Sequence, residues 1–398
     1  MFEPEWGGHQ EDWVRLLAAG LAAEAASMGV VFLVHPKLYE RLTQASGGSL
    51  LERGAHRVRL EALERREAEH CLAPSQWRRA LARWEVARAH ARRLGASHVH
   101  FLCIDAVQLP LAFGARIGPG VKVSGILFRP SQHYAQVFAT QARAAEHLRE
   151  LRKRALYSGM LSNRLLARVL TLDPTYSAWA RHPKVQYIPD PIVSELAPSA
   201  AMQAQVRGRW GVPPNRHLFV LLGALQARKG VIRALQALHH LPRDVLASSA
   251  VIMAGRVEEP IRSRLWDVHE QVQRAVGVDG WLRVEDGFLE PEELSCLLYS
   301  ADTVLAPYQR FVGSSGILSW AALARTPLIT QRYGLLGHLA TEHGLGLVVD
   351  TTDPTAIADA MQRCLAGGCQ VDPHGAAAYV AAHQTGPFVR GVAETLAQ

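Results

Sequence analysis

The chain has 398 residues, of which 48% are apolar and 20% charged, so it can bury a sizeable core and disorder over its whole length is excluded. No long uncharged apolar run occurs, and acidic residues stand where a signal peptide needs a basic start, which predicts neither a membrane-spanning nor a secreted protein. The five cysteines are scattered and no pair has C-x-x-C spacing, which favours a reducing compartment and a cytoplasmic location.

The net charge of +7 comes from the first half of the chain, where residues 1–200 hold 26 basic and 18 acidic side chains. Its densest stretch, 53–93, interleaves arginine with glutamate, a mixture typical of solvated helices with ion pairs. Attraction to an anionic membrane surface or an acidic substrate is the alternative. Because aromatic residues do not line up with the arginines, nucleic acid is not predicted as a partner.

Short apolar runs alternate with helical spacings along the chain, which predicts parallel sheets covered by helices, an α/β fold. The predicted strands of the first half are 30–34, 98–104 and 121–128. Those of the second half are 218–222, 250–254, 303–305, 328–330 and 347–349. Helical spacing in the second half covers 231–241, 259–276, 291–300, 315–325 and 354–366.

A stretch rich in proline and small residues, near 188–205, predicts a linker between two domains. We place a first Rossmann-like, doubly wound domain at 1–190 and a second at 201–371. The remaining segment, 372–398, is assigned to a C-terminal tail, for which a helix packing back on the first domain is one option.

In open parallel sheets, ligands bind beyond the carboxyl ends of the strands, so the loops after the apolar runs are the candidate binding segments. The loop that begins at Gly223 carries Arg228 and Lys229, two cations that could neutralise a diphosphate. An ordinary basic loop is the alternative. Gly287 and Phe288 precede another helix and could hold a planar base against backbone amides, although a plain turn fits the same residues.

A third loop leads from the strand at 303–305 into a helix and carries Ser314, Ser315, Gly316 and Ile317. A serine N-cap and a glycine that allows close backbone approach would leave amide groups and the positive end of the helix dipole facing an anion. The alternative is that serine and glycine simply begin the helix.

The order of these segments resembles the nucleotide-sugar-binding domain of family 4 retaining glycosyltransferases. The matching pieces, in chain order, are 223–230, 251–255, 287–294, 299–307, 321–328 and 344–350. The resemblance implies the GT-B fold, two Rossmann-like doubly wound domains facing a cleft. It implies that the second domain holds a nucleotide-sugar and that the first presents the acceptor.

Two glutamates usual in that family are absent, since Val312 and Trp320 occupy their positions. In the family the second commonly holds the ribose hydroxyls and the first lies near the donor sugar. The arginine that usually follows the first glycine is Ala224 here. Those contacts must therefore differ or be missing, and a non-catalytic descendant is an alternative.

The resemblance in the first half is weaker. Gly7 and Gly8 resemble the family's glycine-rich acceptor-side loop, and Asp105, just past the strand at 98–104, is a polar candidate for the cleft. His133, with Arg129 nearby, stands closest to the position of a family histidine that stabilises developing charge or positions the acceptor. A surface-loop histidine is the alternative.

No Asp-x-Asp motif occurs, so we expect no metal and no cofactor, and the leaving diphosphate would be stabilised by protein charge. His98 and His100 share one face of a predicted strand and are interpreted as core histidines rather than metal ligands.

The sequence therefore predicts a metal-independent, retaining glycosyltransferase that moves a sugar from a nucleotide-sugar donor to a glycan, lipid-linked or small-molecule acceptor. The alternative is a non-catalytic GT-B scaffold or partner protein, held at the membrane surface by its basic first domain. A nucleotide-sugar epimerase of the same architecture would need acidic residues over the donor sugar, for which the sequence shows no candidates.

Overall fold

The structure, a computed structural model, describes residues 1–7, 10–24, 28–45, 57–134, 144–193, 197–213, 215–277 and 281–398. The chain divides into two compact units. Unit 1 comprises Met1–Val193 and His383–Gln398, and unit 2 comprises Ser194–Ala382. The stretch assigned from sequence to a C-terminal tail is therefore divided between them after Ala382.

Unit 1 is built on a seven-stranded parallel sheet with the order β3-β2-β1-β4-β5-β6-β7. Its strands are β1 (Phe2–Glu3), β2 (Val30–Val34), β3 (Val58–Ala62), β4 (His98–Phe101), β5 (Lys122–Leu127), β6 (Leu166–Thr171) and β7 (Val185–Tyr187). The order reverses between β1 and β4, which makes the sheet doubly wound. Although β1 is very short, it lies in the middle of the sheet, where Phe2 pairs with both neighbouring strands.

Helices connect these strands over the faces of the sheet. They are α1 (Gln10–Glu24), α2 (Pro36–Ala45), α3 (Arg65–Cys71), α4 (Gln76–Leu94), α5 (Gln108–Ala112), α6 (Ala144–Ser162) and α7 (Pro174–Ala180). The side chains of Phe101, Ile104 and Val123 lie in the core between the sheet and these helices. Continuous apolar strands such as β2 fit a sheet that is covered on both faces.

Unit 2 contains a six-stranded parallel sheet with the order β10-β9-β8-β11-β12-β13. Its strands are β8 (His217–Leu222), β9 (Ser249–Ala254), β10 (Trp281–Glu285), β11 (Thr303–Ala306), β12 (Leu328–Gln331) and β13 (Gly346–Val349). Here the order reverses between β8 and β11, so unit 2 is also doubly wound.

The helices of unit 2 lie between these strands in the chain and follow the last of them. They are α8 (Ala200–Arg209), α9 (Val231–Ala237), α10 (Arg243–Ala247), α11 (Arg262–Val276), α12 (Pro291–Ser300), α13 (Gly316–Ala324), α14 (Gly334–Glu342), α15 (Pro354–Leu365) and α16 (Pro373–Ala382). All six residues of β9 are buried, which explains its continuous apolar sequence.

The last helix, α17 (Thr385–Leu396), returns to unit 1 and packs on α1. Phe388 is fully buried, with its ring centroid 4.8 Å from that of Trp13. A Cβ at Gly20 of α1 would lie 2.6 Å from a methyl group of Val389, so the two helices approach closely. The C-terminal helix is thus part of the core of unit 1.

The sheets confirm the predicted α/β class. The strand predicted at 98–104 is shorter than expected, because the chain turns into a 3₁₀ helix at Ile104–Val107. The prediction missed β10 in unit 2 and several strands of unit 1. Within the described ranges, no helix is both long and apolar enough to cross a bilayer.

In unit 2 the loops that follow β8 and β11 touch each other at Gly230. This glycine has φ +71°, and a Cβ there would lie 1.9 Å from the carbonyl oxygen of Pro307. A main-chain hydrogen bond from Gln309 to the carbonyl of Arg228, 2.7 Å long, joins the same two loops. Only a residue without a side chain permits this approach.

We predict that Phe388→Ala lowers the free energy of unfolding by about 3–5 kcal/mol, because it leaves a cavity between α17 and α1. Urea denaturation followed by circular dichroism measures the loss. Phe113 is 80% exposed, so Phe113→Ala is the matched control and changes stability by less than about 0.5 kcal/mol. Equal effects of the two substitutions would contradict this role for α17.

We predict that Gly230→Ala destabilises unit 2 by about 2 kcal/mol or more, because the new methyl group meets a backbone carbonyl at a left-handed φ. The control is Gly208→Ala in α8, where a Cβ meets nothing within 4 Å and helix propensity raises stability by up to about 1 kcal/mol. Thermal denaturation of both variants makes the comparison. Unchanged stability of Gly230→Ala would disprove the close approach.

Candidate functional site

The first candidate site lies at the carboxyl edge of unit 2, where the strand order reverses between β8 and β11. The chain leaves these two neighbouring strands toward opposite faces of the sheet, which opens a crevice at their ends. Loop 223–230 follows β8 and loop 307–315 follows β11. Both predicted diphosphate-binding loops therefore meet at one edge of one sheet.

Lys229 folds back over the end of β8. Its ammonium group donates a 2.7 Å hydrogen bond to the carbonyl oxygen of Leu222. A Cβ at Gly223 would lie 2.8 Å from the Lys229 nitrogen, and Gly223 has φ +85°. The glycine that ends the strand thus makes room for the lysine as well as for the turn.

Burial, together with the neighbouring Arg228, lowers the pKa of Lys229 from its usual value to about 8. The Arg228 guanidinium lies 4.9 Å from the ring centroid of Phe311 and 5.7 Å from that of Tyr308. Two cations are therefore held side by side in a partly desolvated place, an arrangement that an anionic ligand would relieve.

Ser315 stands at the N-cap position of α13, but its side chain does not cap the helix. Its hydroxyl lies 2.6 Å from the hydroxyl of the buried Tyr308 instead. Gly316 is exposed, and a Cβ there would meet nothing within 4 Å. Ser314 is half-buried beside it, whereas the side chain of Ile317 turns into the core. The first turn of α13 thus offers backbone amides at an open surface, where anions bind favourably.

The loop after β10 is fixed by Asp286. Its carboxylate accepts a 2.8 Å hydrogen bond from the amide of Val257 and pairs with Arg262. That amide contact, with the pairing to Arg262, holds the pKa of Asp286 below its usual value. Gly287 follows, and Phe288 is 79% exposed. Phe288 thus presents an open ring surface after β10, which is separated from β11 in the sheet by β9 and β8.

Several residues that hold the crevice loops were not found from the sequence. Gln309 donates to the carbonyl oxygens of Pro307 and Thr351 at 2.8 and 2.7 Å. Gly334, at the start of α14, has φ +71°, and a Cβ there would lie 2.6 Å from the carbonyl of Phe311. The glycine after the apolar run at 328–330 was the available signal. The pairing of Gln309 with a carbonyl 42 residues away has no sequence signature.

The two positions where glutamates were expected differ in exposure. Val312 is 9% exposed and contributes to the packing of loop 307–315, whereas Trp320, on α13, is 36% exposed. Neither side chain is a carboxylate. At these two positions, therefore, the hydroxyl groups of a ribose or sugar would not find the acceptor that the resembling family provides.

The second candidate site lies at the carboxyl edge of unit 1, near the reversal between β1 and β4. Asp105 accepts hydrogen bonds from the amides of Phe128 and Arg129, at 2.8 and 3.2 Å. Burial raises the pKa of Asp105, although these two bonds oppose the shift. The Arg129 side chain is exposed, and a Cβ at Gly7 would meet no atom within 4 Å. Gly8 lies outside the described residues.

His133 does not join Asp105 but contacts the N-terminal end of α7. Its Nε2 lies 2.8 Å from the hydroxyl of Thr175 and 3.2 Å from the carboxylate of Asp173, the N-cap residue of that helix. Burial opposes ionisation of Asp173, but hydrogen bonds from His133 and Thr175 outweigh it and lower the pKa of Asp173. The His133 side chain is only 6% exposed, and its Nδ1 has no hydrogen-bond partner among the residues that the structure describes. The structure therefore brings Asp105 and the Arg129 backbone together and ties His133 to α7.

His98 and His100 both bond to the hydroxyl of Ser124, at 2.7 and 2.8 Å. Burial lowers the pKa of His98 to about 4, so this ring is neutral at physiological pH. In the part of the chain that the structure describes, no three His, Cys, Asp or Glu residues are grouped as metal ligands.

Residues 216–367, most of unit 2, match the family model "Glycosyl transferases group 1". The chain is 32% identical over 163 residues to D-inositol 3-phosphate glycosyltransferase of Corynebacterium glutamicum (strain R), and 28% identical over 178 residues to the protein of the same name from Xylanimonas cellulosilytica. These stretches cover 40% and 44% of this chain but only 37% and 40% of the relatives.

Two solved structures are similar over the whole chain. One is WaaG, a glycosyltransferase involved in lipopolysaccharide biosynthesis, with TM-score 0.62, 16% identity and coverage of 100% of this chain and 98% of that one. The other is Anabaena Alr3699/HepE in complex with UDP, with TM-score 0.67, 14% identity and the same coverage. The chain therefore has the GT-B fold, and most of its second unit is similar in sequence to group 1 glycosyltransferases.

Proposed function

We propose that this protein is a glycosyltransferase that moves a sugar from a nucleotide-sugar donor, bound by unit 2, to an acceptor bound by unit 1. The observation that carries the proposal is the pair of half-buried cations, Arg228 and Lys229, at the switch point of unit 2. They lie within the segment that matches the glycosyltransferase family model. A nucleotide diphosphate supplies negative charge that complements these two cations.

The chemistry of transfer explains why fixed cations are useful. When the bond between the sugar and the diphosphate breaks, negative charge develops on the bridging oxygen. Cations and helix amides already in place stabilise that charge more than the ground state, and so lower the barrier. We therefore assign Arg228, Lys229 and the amides of Ser315, Gly316 and Ile317 to the diphosphate.

The rest of the donor is assigned by position. We place the base near Gly287 and Phe288, since the exposed Phe288 ring offers a stacking surface. UDP is the first nucleotide to test, because the HepE structure holds UDP. We also propose transfer without a metal, because protein cations already occupy the role that a divalent ion fills elsewhere. Retention of the anomeric configuration is proposed from the family resemblance alone.

We assign the acceptor to the carboxyl edge of unit 1, near Gly7 and Asp105. Arg129 is exposed beside Asp105 and is our candidate for a cation that contacts the reacting groups. His133 is a candidate only through Nδ1, because Nε2 is held by Thr175 and Asp173. A glycan, a lipid-linked sugar or a small polyol fits this assignment.

A non-catalytic scaffold at a membrane surface is the second candidate function, favoured by the missing glutamates and by exposed apolar groups on unit 1. Trp77 and Leu81 of α4 are 50% and 51% exposed, and the Arg152 guanidinium lies 5.0 Å from the Trp77 ring centroid. Aromatic and basic side chains of this kind suit an anionic lipid surface. We propose a reducing, cytoplasmic setting for either function, since all five cysteines are free thiols.

We predict that Lys229→Ala weakens binding of UDP about 10- to 100-fold, the loss typical of a hydrogen bond to a charged group. Isothermal titration with UDP, GDP and ADP, each with and without EDTA, measures it. Chelator should leave the affinity unchanged. Absence of binding by all three nucleotides, together with tight binding to anionic vesicles, would favour the scaffold.

We also predict how the affinity for UDP depends on pH. Because only the protonated amine of Lys229 attracts the diphosphate, affinity stays level between about pH 7, where the terminal phosphate is ionised, and pH 8, and falls up to about tenfold per unit above it. Lys229→Arg is the matched control, since a guanidinium stays charged throughout this range. A decline of equal steepness in that variant would assign the titration to another group.

We predict that Trp320→Glu strengthens UDP binding about tenfold, if the ribose lies where the resembling family holds it, because a carboxylate accepts from two hydroxyls. Trp320→Gln removes the same indole without adding charge and serves as the control. Equal affinities of the two variants would show that the ribose lies elsewhere.

A further inference from the structure

Unit 1 gathers polar and acidic side chains where its two central strands end. Glu3 ends β1 and Glu5 follows it, while Cys103 and Asp105 follow β4, and Gln10 begins α1. We call these five residues the carboxyl-edge cluster. The amide of Glu5 donates a 2.8 Å hydrogen bond to the carboxyl group of Glu3, and the Cys103 sulfur lies 3.9 Å from a carboxylate oxygen of Asp105. The cluster occupies the strand-order reversal, where doubly wound sheets bind ligands.

The charges of the cluster are largely compensated from within. The buried Arg83 guanidinium lies 2.6 Å from one carboxylate oxygen of Glu5 and also donates to the carbonyl of Cys71. Asp105 receives two backbone amides, from Phe128 and Arg129. Arg83 thus has its charge matched by Glu5.

Gln10 supplies an independent sign of a ligand. It is 9% exposed, and its Nε2 donates a 3.4 Å hydrogen bond to Glu5. Of the two ends of the Gln10 amide, only the nitrogen can donate to a carboxylate. The bond to Glu5 therefore fixes which way the amide group is turned. The remaining atom, Oε1, is buried and has no hydrogen-bond partner in the described structure. A buried acceptor of this kind is costly unless a ligand brings a donor.

The donor that fits is a hydroxyl group. The described residues include no three-residue group suited to a metal ion. Burial raises the pKa of Glu3 to about 8, so its carboxyl group is mostly protonated at neutral pH and both donates and accepts. Hydroxyl groups have the same dual character. An ammonium group would find little uncompensated negative charge here.

Building on the proposed transferase function, we propose that the carboxyl-edge cluster binds an uncharged polyol part of the acceptor through its hydroxyl groups, and that it rejects a phosphorylated polyol. A phosphate placed here would lose its hydration without gaining a free cation, because Arg83 is already paired with Glu5 and Arg129 lies beside Asp105. Phosphate recognition is thereby left to the cations of unit 2.

The test uses matched probes that differ by one phosphate: glucose with glucose 6-phosphate, and inositol with D-inositol 3-phosphate. Ligand-observed NMR titrations of the full chain, with saturating UDP, give the four affinities. We expect the neutral member of each pair to bind at least tenfold more tightly. Tighter binding of the phosphorylated members, or no binding of either neutral probe, overturns the proposal.

Two variants tie the result to the cluster. Gln10→Leu removes the unpartnered acceptor at similar size and should weaken neutral-probe binding about tenfold. Glu5→Gln frees the charge of Arg83 and should strengthen phosphorylated probes at least tenfold relative to neutral ones. Glu69→Gln on the surface of α3 is the matched control and should change neither. Variants that match the control overturn the assignment.

The two proposals fail separately. UDP affinity is measured for every variant and should equal that of the unmodified chain, and circular dichroism checks that each variant is folded at the temperature of the titration. If UDP binds but the probes do not discriminate, the acceptor inference fails and the transferase proposal stands. If no nucleotide binds, the transferase proposal fails, and the polyol site fails with it as an acceptor site.

Discussion

The contact between the loops after β8 and β11 is the constraint on which the candidate donor site depends. In a doubly wound sheet these loops depart toward opposite faces, and here Gly230 lets one reach the carbonyl of Pro307 in the other. The contact brings Arg228 against the rings of Tyr308 and Phe311 and leaves Lys229 against the end of β8. The cations are therefore partly desolvated before any ligand arrives, and fixed charge in such a place acts more strongly than charge in water.

The two units share the doubly wound arrangement of strands but carry different side chains at equivalent edges. Each sheet reverses its strand order once, and in each the polar groups of interest follow the two strands at the reversal. Unit 2 places cations and helix amides there, whereas unit 1 places Glu3, Glu5 and Asp105. The fold thus decides where a ligand binds, and a few side chains decide which ligand.

The elements that the sequence predicts well are those whose burial requires a recognisable residue pattern. Strand β9 is buried on both faces and has a continuous apolar sequence. The glycines and cations of loop 223–230 come directly after strand β8, which is also apolar. Strand β1 could not be predicted, because it has two residues and one of them is Glu3, whose acidic side chain is buried in mid-sheet. The bond between His133 and Asp173 joins residues 40 positions apart, and Gln309 reaches a carbonyl still further along the chain. Such pairings depend on tertiary packing and leave no periodic signal.

The replacement of two expected glutamates by Val312 and Trp320 changes the balance of forces in the donor crevice. Carboxylates near a diphosphate repel it, and they are useful only where ribose or sugar hydroxyls can donate to them. With Val312 packed inward and Trp320 partly exposed, neither repulsion nor hydroxyl recognition arises at these positions. In the proposed function, affinity for the diphosphate would therefore rest on Arg228, Lys229 and the first turn of α13, which recognise charge and not the identity of the sugar. Selection among sugars would then come from side chains other than those at 312 and 320, so that nucleotide binding and the choice of the transferred sugar would depend on different residues.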